Sequence, residues 1–242
     1  MNTWATAMES TALNSTVKQY WLRGDRFLLL LVSLVATLLL VPLVHSPLVQ
    51  KILANALFTL VFVTGALANR RRNVIFTTAV VLAVAAIGLA WSRLLIGNTE
   101  VRVLGLIADV VFFSFTAVMI LVAVVRDRMG STQAISGAVC VYLLMGFGWA
   151  HGYLLVEQLE SEPFRYAERQ VESPTAAGDE RTVLSQMVYY SFVTMTTLGY
   201  GDVTPRTPLA QTVTWMQAVT GQLFLAVLVA RLVSELPKMS RR

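Results

Sequence analysis

Three observations predict an all-α membrane protein. Charged residues make up 14% of the 242 residues and hydrophobic ones 56%, with a mean hydropathy of +0.64. A soluble domain is about a quarter charged, and the deficit fits a chain whose surface faces lipid, where charge is expensive. The apolar residues also gather into six runs, each close to the roughly 20 residues with which a helix crosses a hydrocarbon core of about 30 Å. Between the fifth and sixth runs lies a segment too short to cross, which must turn back. The expected fold is six transmembrane helices with a re-entrant helix before the last.

The runs are Phe27–Val44, Leu48–Ala68, Val74–Ala90 (extendable to Ile96), Val103–Val125, Ala134–Val156 and Leu209–Val233. Unpaired backbone groups do not survive against lipid, so each run is read as a helix. The first holds Pro42 and ends at His45, Ser46 and Pro47, a tight hairpin into the second. Glu9 and Asp25 in the 26 residues before it, with no small-residue cleavage site beyond, argue against a secretory leader.

With six crossings, four basic clusters fall on one side: Lys18, Arg23 and Arg26; Arg70, Arg71 and Arg72; Arg126 and Arg128; Lys238, Arg241 and Arg242. That side is predicted to be the cytoplasm, with both termini there and the chain multi-pass in the plasma or inner membrane. The net charge of +5 therefore reads as topology, and no nucleic-acid partner is expected. Cys140 stands alone in an apolar run, so neither an intrachain disulfide nor metal-ligand spacing is available.

Residues 157–182 form the one long polar segment, predicted to be extracellular. Seven acids stand there against Arg165, Arg169 and Arg181. They are read either as a solvated turret or as a charge ring that concentrates cations. Thr182 is placed to cap a helix over 183–195, with Asp179 and Glu180 near its positive end. At 1.5 Å per residue that helix is about 20 Å long and aims a partially negative C-terminus at the membrane centre.

Next comes Thr194 to Asp202, T-M-T-T-L-G-Y-G-D. The string resembles the selectivity-filter signature of the potassium channel family, T-x-T-T-x-G-Y-G-D, and all seven specified positions match. The resemblance implies a homotetramer in the lipid bilayer, in which four such ribbons replace the hydration shell of K+ with backbone carbonyls. By resemblance the filter is Thr196, Thr197, Leu198, Gly199, Tyr200, Gly201 and Asp202. K+, the permeant ion, is held by the carbonyls of Thr197, Leu198, Gly199 and Tyr200 and by the Thr197 hydroxyl; no cofactor is implied. Tyr200 is expected to point away from the axis and brace against Tyr189 and Tyr190, with Thr194 in support and Asp202 at the outer mouth. The residues themselves require Gly199 and Gly201, because aiming successive carbonyls at one axis needs angles that a Cβ disfavours. Leu198 replaces the more familiar Val. Val193 stands where some relatives place a Glu that pairs with the Asp, which leaves inactivation behaviour open.

The last run resembles the pore-lining inner helix. Gly221 is read as a hinge or as a close-packing residue. Gln222, Leu225, Val229 and Val233 share one face and are predicted to line cavity and gate, with Gln222 just below the filter. Gly146, Gly148 and Gly152 are expected to bring the outer pore helix close to the inner one. His151 is read as a packed neutral residue or a sensor of external pH.

The expected domains are a cytoplasmic segment 1–26, a four-helix domain 27–128, a pore domain 129–236 and a tail 237–242. Within the pore domain lie the outer loop 157–182, pore helix 183–195, filter 196–202 and inner helix 207–235. The first four helices occupy the place of a voltage sensor, but each charge contributes only about 2.3 kcal/mol per 100 mV, so sensors need several. The fourth run has Arg102 and Arg126 at its edges and Asp109 between; steep voltage gating is not expected. Asp109 should have a partner, Arg102 on its own face or Arg93 on the adjoining loop, in a structural or a gating role. The short tail predicts no ligand-binding domain on this chain, and a separate regulatory protein is left open. His45 and His151 are far apart and no nucleotide loop is present, so no enzyme is expected. The function expected is passive K+ conduction. A weakly selective cation channel, a transporter built on related pore loops, and a non-conducting sensor or regulatory subunit are the alternatives.

Overall fold

The structure, a computed structural model, describes residues 27–44, 46–68, 73–95, 98–126, 131–167 and 180–239. Its elements are α1 (Leu28–Leu43), α2 (Pro47–Ala68), α3 (Asn73–Leu95), α4 (Thr99–Arg126), α5 (Ser131–Leu159), β1 (Phe164–Tyr166), α6 (Glu180–Met195), β2 (Val203–Pro205) and α7 (Pro208–Met239). The six apolar runs are all helical. Among the described residues, four stretches are long and apolar enough to cross a membrane: Asn73–Arg93, Thr99–Arg126, Gln133–Leu159 and Pro208–Ala230. Two shorter apolar stretches, Leu28–Leu43 and Ile52–Ala68, lie within α1 (16 residues, with Pro42 near its end) and α2 (22 residues), and six crossings remain part of the proposed reading. The mostly helical membrane architecture stands.

Three boundaries move. The helix expected over 183–195 begins at Glu180, so Thr182 lies inside its first turn and not before it; Asp179 lies outside the described residues. The third helix runs to Leu95, which places Arg93 in its last turn and not on a loop. The outer segment is not wholly loop: β1 pairs antiparallel with β2, Phe164 opposite Pro205 and Tyr166 opposite Val203. Residues 1–26, 70–72 and 168–179 and the side chain of Val233, to which sequence-based readings were attached, lie outside what is described.

The core follows from large apolar side chains at facing positions. Phe58 and Phe62 from α2, Phe112 and Phe113 from α4 and Phe147 from α5 form a ring cluster with centroids 4.8 to 6.4 Å apart. Such pairs contribute about 0.5–1.5 kcal/mol each beyond the area they bury. Between α1 and α2 the hydroxyls of Ser33 and Thr64 meet at 3.0 Å. Cys140 is buried with its thiol turned to the Phe27 carbonyl at 3.6 Å.

Candidate functional site: a helix end and the ribbon beyond it

The site is built at the C-terminus of α6. Its last turn closes on itself: Thr197 N–H donates to Thr194 O at 3.1 Å and Leu198 N–H to Val193 O at 2.9 Å. With Met195 the last helical residue, these are the paired bonds of a Schellman motif, and Thr197 sits at the position that usually holds glycine. Its φ is +60°, in the left-handed region. For a β-branched residue that is an outlier, and such strain costs about 1–3 kcal/mol. The Thr197 hydroxyl donates to the Thr196 carbonyl at 2.6 Å, and the Thr196 hydroxyl to Phe192 O at 2.7 Å.

Gly199 and Gly201 continue the pattern with φ of +55° and +77°. Leu198 and Tyr200 between them keep negative φ, so handedness alternates at every residue from 197 to 201. Alternating left- and right-handed residues turn successive peptide units the same way, so that like main-chain groups gather on one side. A Cβ built at Gly199 or Gly201 would touch nothing within 4 Å. Backbone angle, not space, demands glycine there. Motif reading finds both glycines and Thr197 itself, but not the left-handed conformation of Thr197, which only the helix-end bonds disclose.

The supporting residues distribute differently from a ring brace around Tyr200. Tyr189 donates to Asp202 Oδ2 at 2.7 Å, so Asp202 has a partner although Val193 supplies none. Tyr190 is buried, its hydroxyl 3.0 Å from that of Thr214 on α7. Tyr200 is 67% exposed. Asp202 also joins the ribbon: its carbonyl accepts Ala167 N–H at 2.8 Å, and Arg206 N–H reaches Pro163 O at 2.7 Å. Tyr166 donates to Glu157 at 2.8 Å. Burial, and then the neighbouring Glu157 carboxylate, hold the Tyr166 phenol above its ordinary value, so it stays neutral and donating into alkaline solution.

Behind α6 lies a buried polar chain that the sequence did not disclose. Gln217 of α7 is fully buried; its amide N–H donates to Ser191 O at 3.0 Å and Oγ at 2.7 Å, while Tyr153 of α5 donates to its Oε1. Ser191 in turn donates to Gly146 O at 2.7 Å. Three helices are thus cross-linked by satisfied polar groups. At Gly146 an added Cβ would overlap the Phe192 ring, whereas at Gly152 it would meet nothing, and at Gly148 it would face Phe113 of α4. The expected Gly148–Gly152 step between outer and inner helix is therefore corrected. Gly146 is the notch, and what it admits is α6. A Cβ on Gly221 would stand 2.6 Å from Met195 Cγ and 3.2 Å from its carbonyl, so close approach to the end of α6 is this glycine's structural role. Gln222 donates to Met195 O at 3.4 Å, just beneath the ribbon. Leu225 is half-buried and Val229 57% exposed on α7.

Residues 173–238, which span α6, the ribbon and nearly all of α7, match a protein-family model described as an ion channel. Over those residues the chain is similar to an ion channel. No curated protein and no solved structure matches the chain. The ion-channel segment comprises the helix end, its alternating ribbon and the helix that supports both.

Proposed function

We propose that the chain is one subunit of a homotetrameric potassium channel, conducting K+ passively through a pore that four ribbons 196–202 line together. The observation that carries this reading is the alternation of handedness at Thr197, Gly199 and Gly201 within T-T-L-G-Y-G-D. In one chain the ribbon lies exposed, Leu198 at 53%; a four-fold axis beside it gives the carbonyl rings a shared centre. Such rings stand in for the water around K+, and neighbouring ions repel one another onward. Thr197, Leu198, Gly199 and Tyr200 are the K+ ligands in this reading, and Gln222, Leu225, Val229 and Val233 line the cavity. With Asp109 in the fourth helix and no regular Arg spacing, steep voltage gating is not part of it.

Reconstituted protein is recorded in planar bilayers under opposed K+ and Na+ gradients. A reversal potential near that of K+, abolished by Gly199→Ala, is the expected result. A reversal potential near zero gives the weakly selective cation channel, and no conductance gives the non-conducting subunit.

A further inference from the structure

Away from the ribbon, three titratable side chains meet inside the apolar helix bundle. Asp109 of α4 is 1% exposed; its Oδ2 accepts from Arg93 Nη2 of α3 at 2.7 Å, and His151 Nε2 of α5 stands 3.8 Å from the same oxygen. Asp109 Oδ1 is buried and has no hydrogen-bond partner among the described residues. His151 is itself 4% exposed, set edge-on to Phe58 and tilted on Phe113. Phe58 comes from α2 and Phe113 from α4, and the charged groups that act on the ring are Asp109 of α4 and Arg93 of α3.

The tautomer follows from geometry. His151 Nδ1 lies 2.8 Å from the Phe147 carbonyl, and a carbonyl only accepts, so Nδ1 carries the hydrogen. In the neutral ring Nε2 is then a bare lone pair, and it faces a carboxylate. Two acceptors confront one another across 3.8 Å with no hydrogen between them, beyond bonding distance. One added proton, on Nε2 or on the carboxylate, puts a donor between them and lets the two close to a hydrogen bond, charge-assisted when the proton rests on Nε2. Arg93 opposes the extra positive charge but also links the cluster to the surface, its side chain being 17% exposed.

We propose that His151 Nε2 and Asp109 Oδ2 form a proton-binding latch, which fastens α4 to α5 when occupied and leaves the two acceptors apart when empty. The latch adjoins the ion-channel segment: one turn before His151 on α5, the Phe147 ring packs edge-on against Phe192 of α6 at 5.9 Å, and Phe192 O accepts from Thr196. Its effect on conduction rests on the channel reading; the latch itself does not.

The test uses the full chain in nanodiscs with ¹⁵N-labelled histidine and His45→Gln, which leaves His151 as the single imidazole. On titration from pH 4 to pH 9, Nδ1 is expected to remain protonated while Nε2 gains a proton on acidification. Asp109→Asn against the parent, or Asp109→Asn with Arg93→Gln against Arg93→Gln alone if the single variant does not fold, is expected to lower the Nε2 midpoint by at least one pH unit, a tenfold loss of proton affinity. An Nε2 that is protonated throughout, or a midpoint that ignores Asp109, overturns the latch. Potassium flux is read in parallel. The parent should vary with pH, and His151→Gln, whose amide donates to Asp109 at any pH, should be flat. Parent flux that ignores pH while Nε2 titrates overturns the coupling, and absence of flux from every form at every pH strikes the channel reading alone.

Discussion

At Thr197 a β-branched residue occupies the left-handed position that ends α6, and two neighbouring carbonyls, Thr194 and Val193, hold it there. Conformation and chemistry coincide at this residue: the helix-ending twist starts the alternation that Gly199 and Gly201 continue. Thr197→Gly should relieve backbone strain while removing the hydroxyl. The expected outcome is a helix end no less stable in thermal unfolding but weaker K+ over Na+ discrimination in bilayer recordings. Tyr189→Phe is a milder change that deprives Asp202 of its 2.7 Å partner. It should shorten sustained opening, seen as faster decay of current under constant drive, and lower stability by about 1 kcal/mol, the usual worth of one such bond.

Among the elements, α6 is held from behind by a notch and a polar chain. Gly146→Ala forces a Cβ into Phe192, and overpacking of this kind typically costs about 1–3 kcal/mol; Gly152→Ala, with nothing near its Cβ, should change nothing. Thermal unfolding of the two variants in detergent checks the contrast. Gln217→Leu strips partners from Tyr153 and Ser191 together. Bonds between membrane helices average about 0.6 kcal/mol and reach about 1.7, so a loss near the upper figure is expected for the pair. The ribbon's angles were legible because their chemistry sits in consecutive residues and glycine advertises its purpose. The cross-links were not. A helix apolar on every side carries no stripe to say which face turns inward, so Gln217, Ser191 and Gly146 gave no sign of meeting. For the same reason Arg93 was placed on a loop, and only the rotation of α3 and α4 shows that it is the cation on Asp109.

For the whole molecule, exposed apolar surface on α7 is the feature that matters. Trp215, Val219, Leu223 and Val227 are between 48% and 67% exposed in the single chain. Lipid covers such a face, and so does a second copy; the channel reading requires copies around the ribbon. Native mass spectrometry from nanodiscs should therefore give four chains of 26.6 kDa per particle, and a monomer would leave the carbonyls without a common centre. The apolar runs foretold helices throughout, because each run is long enough to be helical and too apolar to leave backbone groups unpaired in lipid.

The antiparallel β1–β2 pair joins parts that are distant in sequence. Through Ala167 N–H and Asp202 O, the chain leaving the described outer segment is bonded directly to the far end of the ribbon. A pull on residues 164–167, from a bound antibody for example, thus reaches the end of the ribbon without first bending any helix.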